Sequence, residues 1–223
     1  TFENKPKRIV VTEINDERIE RAREVISEKE AADNGIELIY VNTAKMDDPI
    51  RGLMDITEGH GYDDVFVYIP SKAVCEMGNQ IMAYDGCMNL FAGPTDPKFS
   101  AEVNLYDCHY SRSKILGSTG GTIDDMKEAI DKNNAGLINS AVMITHVGGL
   151  DSVVETTKDL PNVPGGKKLI YTHIDMPMTA IEDFGKLGEM DPFFKELDEV
   201  CKANKGLWSA KAEKMLLEHF GQE

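Results

Sequence analysis

Glu13 closes the apolar run RIVVTE (8–13), and Arg18 follows it by five residues on what reads as the first turn of a helix. A carboxylate at the end of a sheet strand can accept hydrogen bonds from both hydroxyls of an adenosine ribose, and its charge repels a 2'-phosphate at the same place. This favours NAD over NADP, while Arg18 keeps NADP open because a guanidinium binds phosphate. An isolated acid at this point has a plainer reading, as a cap or a solvated strand end, and Glu13 taken alone leaves both standing. The glycine-rich turn that would cradle the phosphates is not among the residues ahead of it.

The other residue types that carry chemistry are dispersed. Cys75, Cys87, Cys108 and Cys201 contain no C-x-x-C pair, which argues against a disulfide framework or a structural zinc site and reads as reduced, buried thiols. His60, His109, His146, His173 and His219 are scattered and read as surface or structural residues. Cys108 and His109, taken as neighbours on a strand, would point to opposite faces and could not share one ion. No catalytic and no metal-ligating residue is assigned within the chain.

Composition excludes whole classes of partner. The 24 Lys and Arg stand against 39 Asp and Glu, a net charge of -15, which repels nucleic acid and anionic membrane. Hydrophobic residues at 41% and charged residues at 28% are ordinary for a folded domain. There is neither a long apolar run nor a basic stretch leading into one, so the expected location is the cytoplasm. A chain opening on Thr1, with a strand as its first element, is expected to be a fragment or a processed product.

These residues need a scaffold, and the chain spells one out. Runs rich in β-branched and aromatic residues recur at 8–13, 36–42, 63–69, 86–93 and 113–118, with SAVMITHV (140–147) and KKLIYTH (167–173) as two more. Helical patterns separate them, which predicts βα units, a parallel sheet, and helices on both faces. Asp16 reads as an N-cap, with Ile19, Ala22 and Ile26 on one helical face. Pro49 starts a short helix through Leu53 and Ile56 that Gly59 stops, and Thr122 with Asp125 forms a capping box. A further helix runs from about 151 to 159. After His173 two helices are expected, one from Asp191 with Pro192 in its first turn and one from about Ser209 to Phe220, closed by Gly206 and Gly221. The division expected is a sheet domain over 1–172 and a helical C-terminal extension over 173–223.

From about residue 7 to 172 the chain resembles the cofactor-binding half of the medium-chain dehydrogenase/reductase superfamily, the zinc-type alcohol and polyol dehydrogenases. The resemblance rests on the order of VVTEINDERIERA, MDITEGHGYDDVFVYI, DGCMNLFAG, HYSRSKILGSTGG and the tail from DDMKEAIDKNNAGLINSAVMITHVGGLDSVVETT to GKKLIY. Within the superfamily it looks closest to sorbose-1-phosphate reductase and related sugar-phosphate or polyol dehydrogenases. The resemblance implies a Rossmann-type, doubly wound parallel sheet of order 3-2-1-4-5-6 whose first strand is not in this chain.

It also implies roles for particular residues. Glu13 and Arg18 match positions at the adenosine ribose, and Ile69 and Pro70 match the end of the fourth strand beside the adenine, with Pro70 where the family usually has glycine. Phe91, Ala92 and Gly93 match the loop along the nicotinamide ribose, and Ser118 and Thr119 match backbone contacts to the carboxamide. The implied activity is hydride transfer between NAD, or NADP, and a polyol, sugar phosphate or other secondary alcohol or ketone. The implied zinc lies in an N-terminal catalytic domain outside these residues. The implied assembly is a homodimer or tetramer joined through about residues 102–110. Two other readings remain: a non-catalytic nucleotide-binding module, and an S-adenosylmethionine-dependent methyltransferase, whose sheet also ends its second strand in an acid but finishes with an antiparallel hairpin strand.

Overall fold

The computed structural model describes residues 5–221; residues 1–4 and 222–223 of the two expected segments lie outside the described residues. The described chain is α/β, and it divides into two compact units, one of residues 6–21 and 28–127, the other of residues 22–27 and the chain from 128 onward.

The first unit begins with β1 (Arg8–Glu13), the start of α1 (Asp16–Val25), α2 (Glu28–Asp33) and β2 (Glu37–Asn42). α1 starts one residue earlier than its expected cap implies. The cap is Asn15, whose side chain accepts the Arg18 amide at 3.2 Å, which frees Asp16 for ion pairing. There follow α3 (Pro49–Ile56), β3 (Tyr62–Val67), α4 (Lys72–Gln80), β4 (Met82–Leu90), α5 (Leu105–Tyr110), β5 (Lys114–Gly117) and the start of α6 (Ile123–Asn134). Asp48 caps α3 by accepting the Arg51 amide, and Thr122 and Asp125 satisfy each other's amides at the start of α6, as their spacing predicts. Cys108 and His109 lie on helix α5 and not on a strand; the aromatic density of LYDCHY misleads because Asn104 caps it into a helical turn.

Every strand pairing in this unit is parallel, but the strands form two separate ladders. β1 pairs with β2 from Arg8↔Glu37 to Glu13↔Asn42, and β3, β4 and β5 lie side by side in that order. Among the described residues β1 and β3 do not pair with each other. Parallel strands joined by helices in this way are the α/β class that the resemblance implies.

Helix α3 ties the two ladders together. The Arg8 guanidinium donates to the Ile56 carbonyl, while the Tyr62 hydroxyl donates to the Leu53 carbonyl at 2.9 Å. Leu53, Val41 and Ile81 form the buried centre beneath, with Val10, Ile39 and Val65 packed against them. A second cluster of Val67, Cys75 and Met88 seats α4 on β3 and β4. Ile9, Val11, Phe66 and Leu116 alternate with these buried residues along their strands and are exposed.

The second unit contains β6 (Ile144–Gly149), α7 (Val153–Asp159), β7 (Lys167–Tyr171), the short β8 (Thr179–Ala180), α8 (Phe184–Leu187), α9 (Pro192–Ala203) and α10 (Ala210–Phe220). β6 is central, parallel to β7 and antiparallel to β8. Asp191 and Ser209 cap α9 and α10 as expected. Val147, Tyr171, Phe184, Leu197, Cys201, Trp208 and Leu216 share one core. The expected division after residue 172 separates β6 and β7 from the C-terminal helices, whereas this core joins them: the apolar faces of α9 and α10 are buried with Val147 and Tyr171.

Candidate functional site

Parallel strands place all their carboxyl ends at one edge, and the loops leaving that edge are where a doubly wound sheet binds its ligand. All nine residues singled out from the sequence follow such ends. Glu13 ends β1 and Arg18 lies in the first turns of α1. Ile69 and Pro70 come just after β3, Phe91 to Gly93 directly after β4, and Ser118 and Thr119 directly after β5.

Glu13 is anchored by backbone. Its Oε1 accepts the Ile14 amide at 2.8 Å and the Asn15 amide at 3.2 Å, and its Oε2 faces the Arg18 guanidinium at 3.6 Å. The Ile14 amide, followed by Asn15 and Arg18, holds the carboxyl below the usual carboxylate range, against partial burial that pushes it up. The side chain is 22% exposed, so the fixed carboxylate is still reachable from solvent. A carboxylate oriented by two amides is a preformed acceptor for a diol.

Beside it lies a network that sequence reading misses. Asn42, the register partner of Glu13, donates from its amide to Asp16 Oδ1 at 2.7 Å, and Lys45 Nζ meets Asp16 Oδ2 at 2.6 Å. The Lys45 ammonium and then the Asn42 amide hold the Asp16 carboxyl below its ordinary value. The one available signal was Asn42 itself, a polar residue ending an apolar run at the same level as Glu13.

At the other ladder, the Phe91 and Ala92 amides both donate to the Val67 carbonyl at 3.1 Å, which draws the loop after β4 across the end of β3. The Tyr68 and Phe91 rings meet at 5.3 Å and are 65% and 60% exposed, an apolar shelf open to solvent. The Ile69 carbonyl accepts the Ser71 amide, forming a tight turn around Pro70. Ser118 Oγ donates to Asn89 Oδ1 at 3.1 Å. Gly93, Gly117 and Gly120 have nothing within 4 Å of where a Cβ would stand, so the backbone at these loops is open to close approach. The structure thus joins Glu13 with Arg18, Phe91 and Ala92 with the end of β3, and Ser118 with β4. The edge carries a fixed acid, open glycines and exposed rings. It does not fit a metal: among the described residues no group of three or more His, Cys, Asp or Glu could hold one.

The profile of the family described as zinc-binding dehydrogenase matches residues 6–135. The chain belongs to the zinc-binding dehydrogenase family. It is 47% identical over 216 residues to a mannitol-1-phosphate 5-dehydrogenase of Aliivibrio fischeri, covering 97% of this chain and 51% of that protein. It is 42% identical over 168 residues to an L-sorbose 1-phosphate reductase of Klebsiella pneumoniae, covering 75% of this chain and 39% of that one. The chain therefore spans about half or less of the length of these relatives. The fold is shared with a 2R,3R-butanediol dehydrogenase from Bacillus subtilis, at a TM-score of 0.59 and 20% identity, over 74% of this chain and 44% of that one. The portion of a zinc-binding dehydrogenase present here is its cofactor-binding domain.

Proposed function

We propose that this chain is the cofactor-binding part of an NAD(P)-dependent, zinc-type dehydrogenase that interconverts a secondary alcohol and a ketone on a polyol or sugar phosphate, with NAD preferred. The carrying observation is the Glu13 carboxylate, fixed by the Ile14 and Asn15 amides at the carboxyl edge of a parallel sheet. Glu13 accepts hydrogen bonds from the two adenosine ribose hydroxyls, and Arg18 flanks them. Ile69 and Pro70 border the adenine, Phe91, Ala92 and Gly93 lie along the nicotinamide ribose, and the Ser118 and Thr119 backbone meets the carboxamide. The bound nicotinamide supplies or accepts hydride at its C4. This chain's residues bind and orient it; zinc and the substrate's catalytic contacts come from residues outside these 223.

The same reading fills the open position between β1 and β3 with a strand from outside the described chain, in support of which stand the two unpaired parallel edges. Leu105, Tyr106 and Tyr110 on α5 are exposed and apolar, which supports a homodimer or tetramer joined through that segment. No described helix is long and apolar enough to cross a membrane, and the four cysteines are free thiols, which supports a cytoplasmic protein.

The methyltransferase reading is disfavoured because β5 leads into α6, and no antiparallel strand joins the β3–β4–β5 sheet among the described residues. A non-catalytic nucleotide module is separated by assaying zinc content and dehydrogenase activity in the natural protein. The deciding experiment is a thermal-shift comparison of NAD, NADP and S-adenosylmethionine on that protein. NAD should stabilise most. Stabilisation by the methyl donor alone overturns the dehydrogenase reading, and a preference for NADP overturns the role given to Glu13.

A further inference from the structure

Two cations border the end of the β1–β2 ladder, and each already faces an acid. Arg18 stands 3.6 Å from Glu13, and Lys45 stands 2.6 Å from Asp16. Asp16 is held from a second side by the Asn42 amide. Asn42 is itself fixed, because its Oδ1 accepts the Ala44 amide at 3.0 Å and so caps the short helical turn Thr43–Lys45 that presents Lys45. Asn42 also ends β2 at the register position of Glu13. The Lys45 ammonium is therefore anchored close to the strand end where a ribose would sit.

A 2'-phosphate brings close to two negative charges to that place, next to the Glu13 carboxylate, and needs cations to offset both. Arg18 alone is shared with Glu13. Lys45 is the second cation within the same cluster, and its flexible stem would let the ammonium swing toward a phosphate if nothing held it. Asp16 holds it. The pair is largely exposed, with side chains 65% and 57% accessible, so its loss changes the stability of the fold little. Its effect falls on what Lys45 is free to bind.

We propose that Asp16 is a positioning residue for nucleotide specificity: by engaging Lys45 it withholds the second cation that a 2'-phosphate would need, and so keeps the site selective for a ribose with a free 2'-hydroxyl. This rests on the reading of Glu13 as the ribose ligand.

The test measures dissociation constants of adenosine 5'-monophosphate and adenosine 2',5'-bisphosphate on the natural protein, by calorimetry at low salt. The variants are Asp16→Asn, Lys45→Met and the double substitution. Asp16→Asn should tighten the bisphosphate by about tenfold, the scale of one added charge-assisted contact, and leave the monophosphate unchanged. Adding Lys45→Met should abolish the gain, and raising the salt should shrink it. An unchanged ratio of the two ligands in Asp16→Asn, with the monophosphate still bound, overturns the proposal. Loss of both ligands in Asp16→Asn also overturns it and makes Asp16 structural. Failure of the wild-type protein to bind either nucleotide overturns instead the assignment of Glu13.

Discussion

The Trp208 indole N–H donates to the Tyr171 hydroxyl over 3.0 Å, joining the entrance of the last helix to the end of β7. The hydroxyl passes the interaction on, donating to Glu213 at 2.8 Å. Burial, reinforced by Glu213, pushes the Tyr171 phenol well above its ordinary range, so it stays protonated and able to donate. Trp208 is 2% exposed, and its N–H has the Tyr171 hydroxyl as its partner. Tyr171→Phe should therefore cost about 1–3 kcal/mol, the penalty for a buried donor left unsatisfied. Since the chain has one tryptophan, urea unfolding followed by intrinsic fluorescence reads this unit directly. An unchanged midpoint would show that the three groups are not coupled.

His146 predicts an acid sensitivity of the same unit. It is 9% exposed on β6, with Nδ1 2.9 Å from Thr145 Oγ1, and burial, then Lys168, hold its pKa below 6.5 while Glu182 and Asp183 oppose them. The folded protein thus binds this proton less readily than the unfolded chain. The contribution to stability is complete above pH 6.5 and is lost as pH falls from there through the folded value. The denaturation midpoint should fall on acidification through this window, and His146→Gln should flatten that part of the profile.

Gly78 sits where α4 packs on β3 and β4. An added Cβ would meet Met88 Sδ at 2.8 Å, Val65 at 3.4 Å and Val67 at 3.5 Å. The Met88 thioether can yield, but it is itself buried in the core. Gly78→Ala should destabilise by about 1–3 kcal/mol through overpacking, despite alanine's better helix propensity. Differential scanning calorimetry checks it. A gain in stability would mean that the Met88 side chain repacks without strain.

Glu13→Gln removes the charge at the proposed ribose contact while keeping the shape. NAD affinity should drop by about tenfold, and discrimination against NADP should shrink with it. In the wild-type protein the carboxyl is held below 4.5, so its contribution is full above that value and disappears only as pH falls through the depressed one. Titrations near neutrality should thus show no pH dependence from this group. An affinity that changes between about pH 6 and 8 in a Glu13-dependent way would contradict the anchoring by Ile14 and Asn15.

The strands were legible because β-branched runs such as RIVVTE and ELIYVN fall at intervals that admit a helix between each pair. Helix ends were legible where one residue type has one use, as with Pro49 and the Thr122 and Asp125 pair. α4 was not, since KAVCEMGNQ carries a glycine that only tertiary packing explains. α5 was masked by its tyrosines. The true cap of α1 was hidden because Asn15 and Asp16 are both good caps, and only the pairing of Asp16 with Lys45 decides between them. Glu13 could be located from its place on one strand. The network beside it depends on the alignment of β1 against β2, which no local pattern encodes.

The hydrogen bonds from Arg8 and Tyr62 to carbonyls of one helix make α3 a splint across an open seam. Each ladder is fastened to the splint, and among the described residues no strand pairing joins one ladder to the other. A segment entering that seam would find both margins already running in its own direction, and would lose little freedom beyond its own.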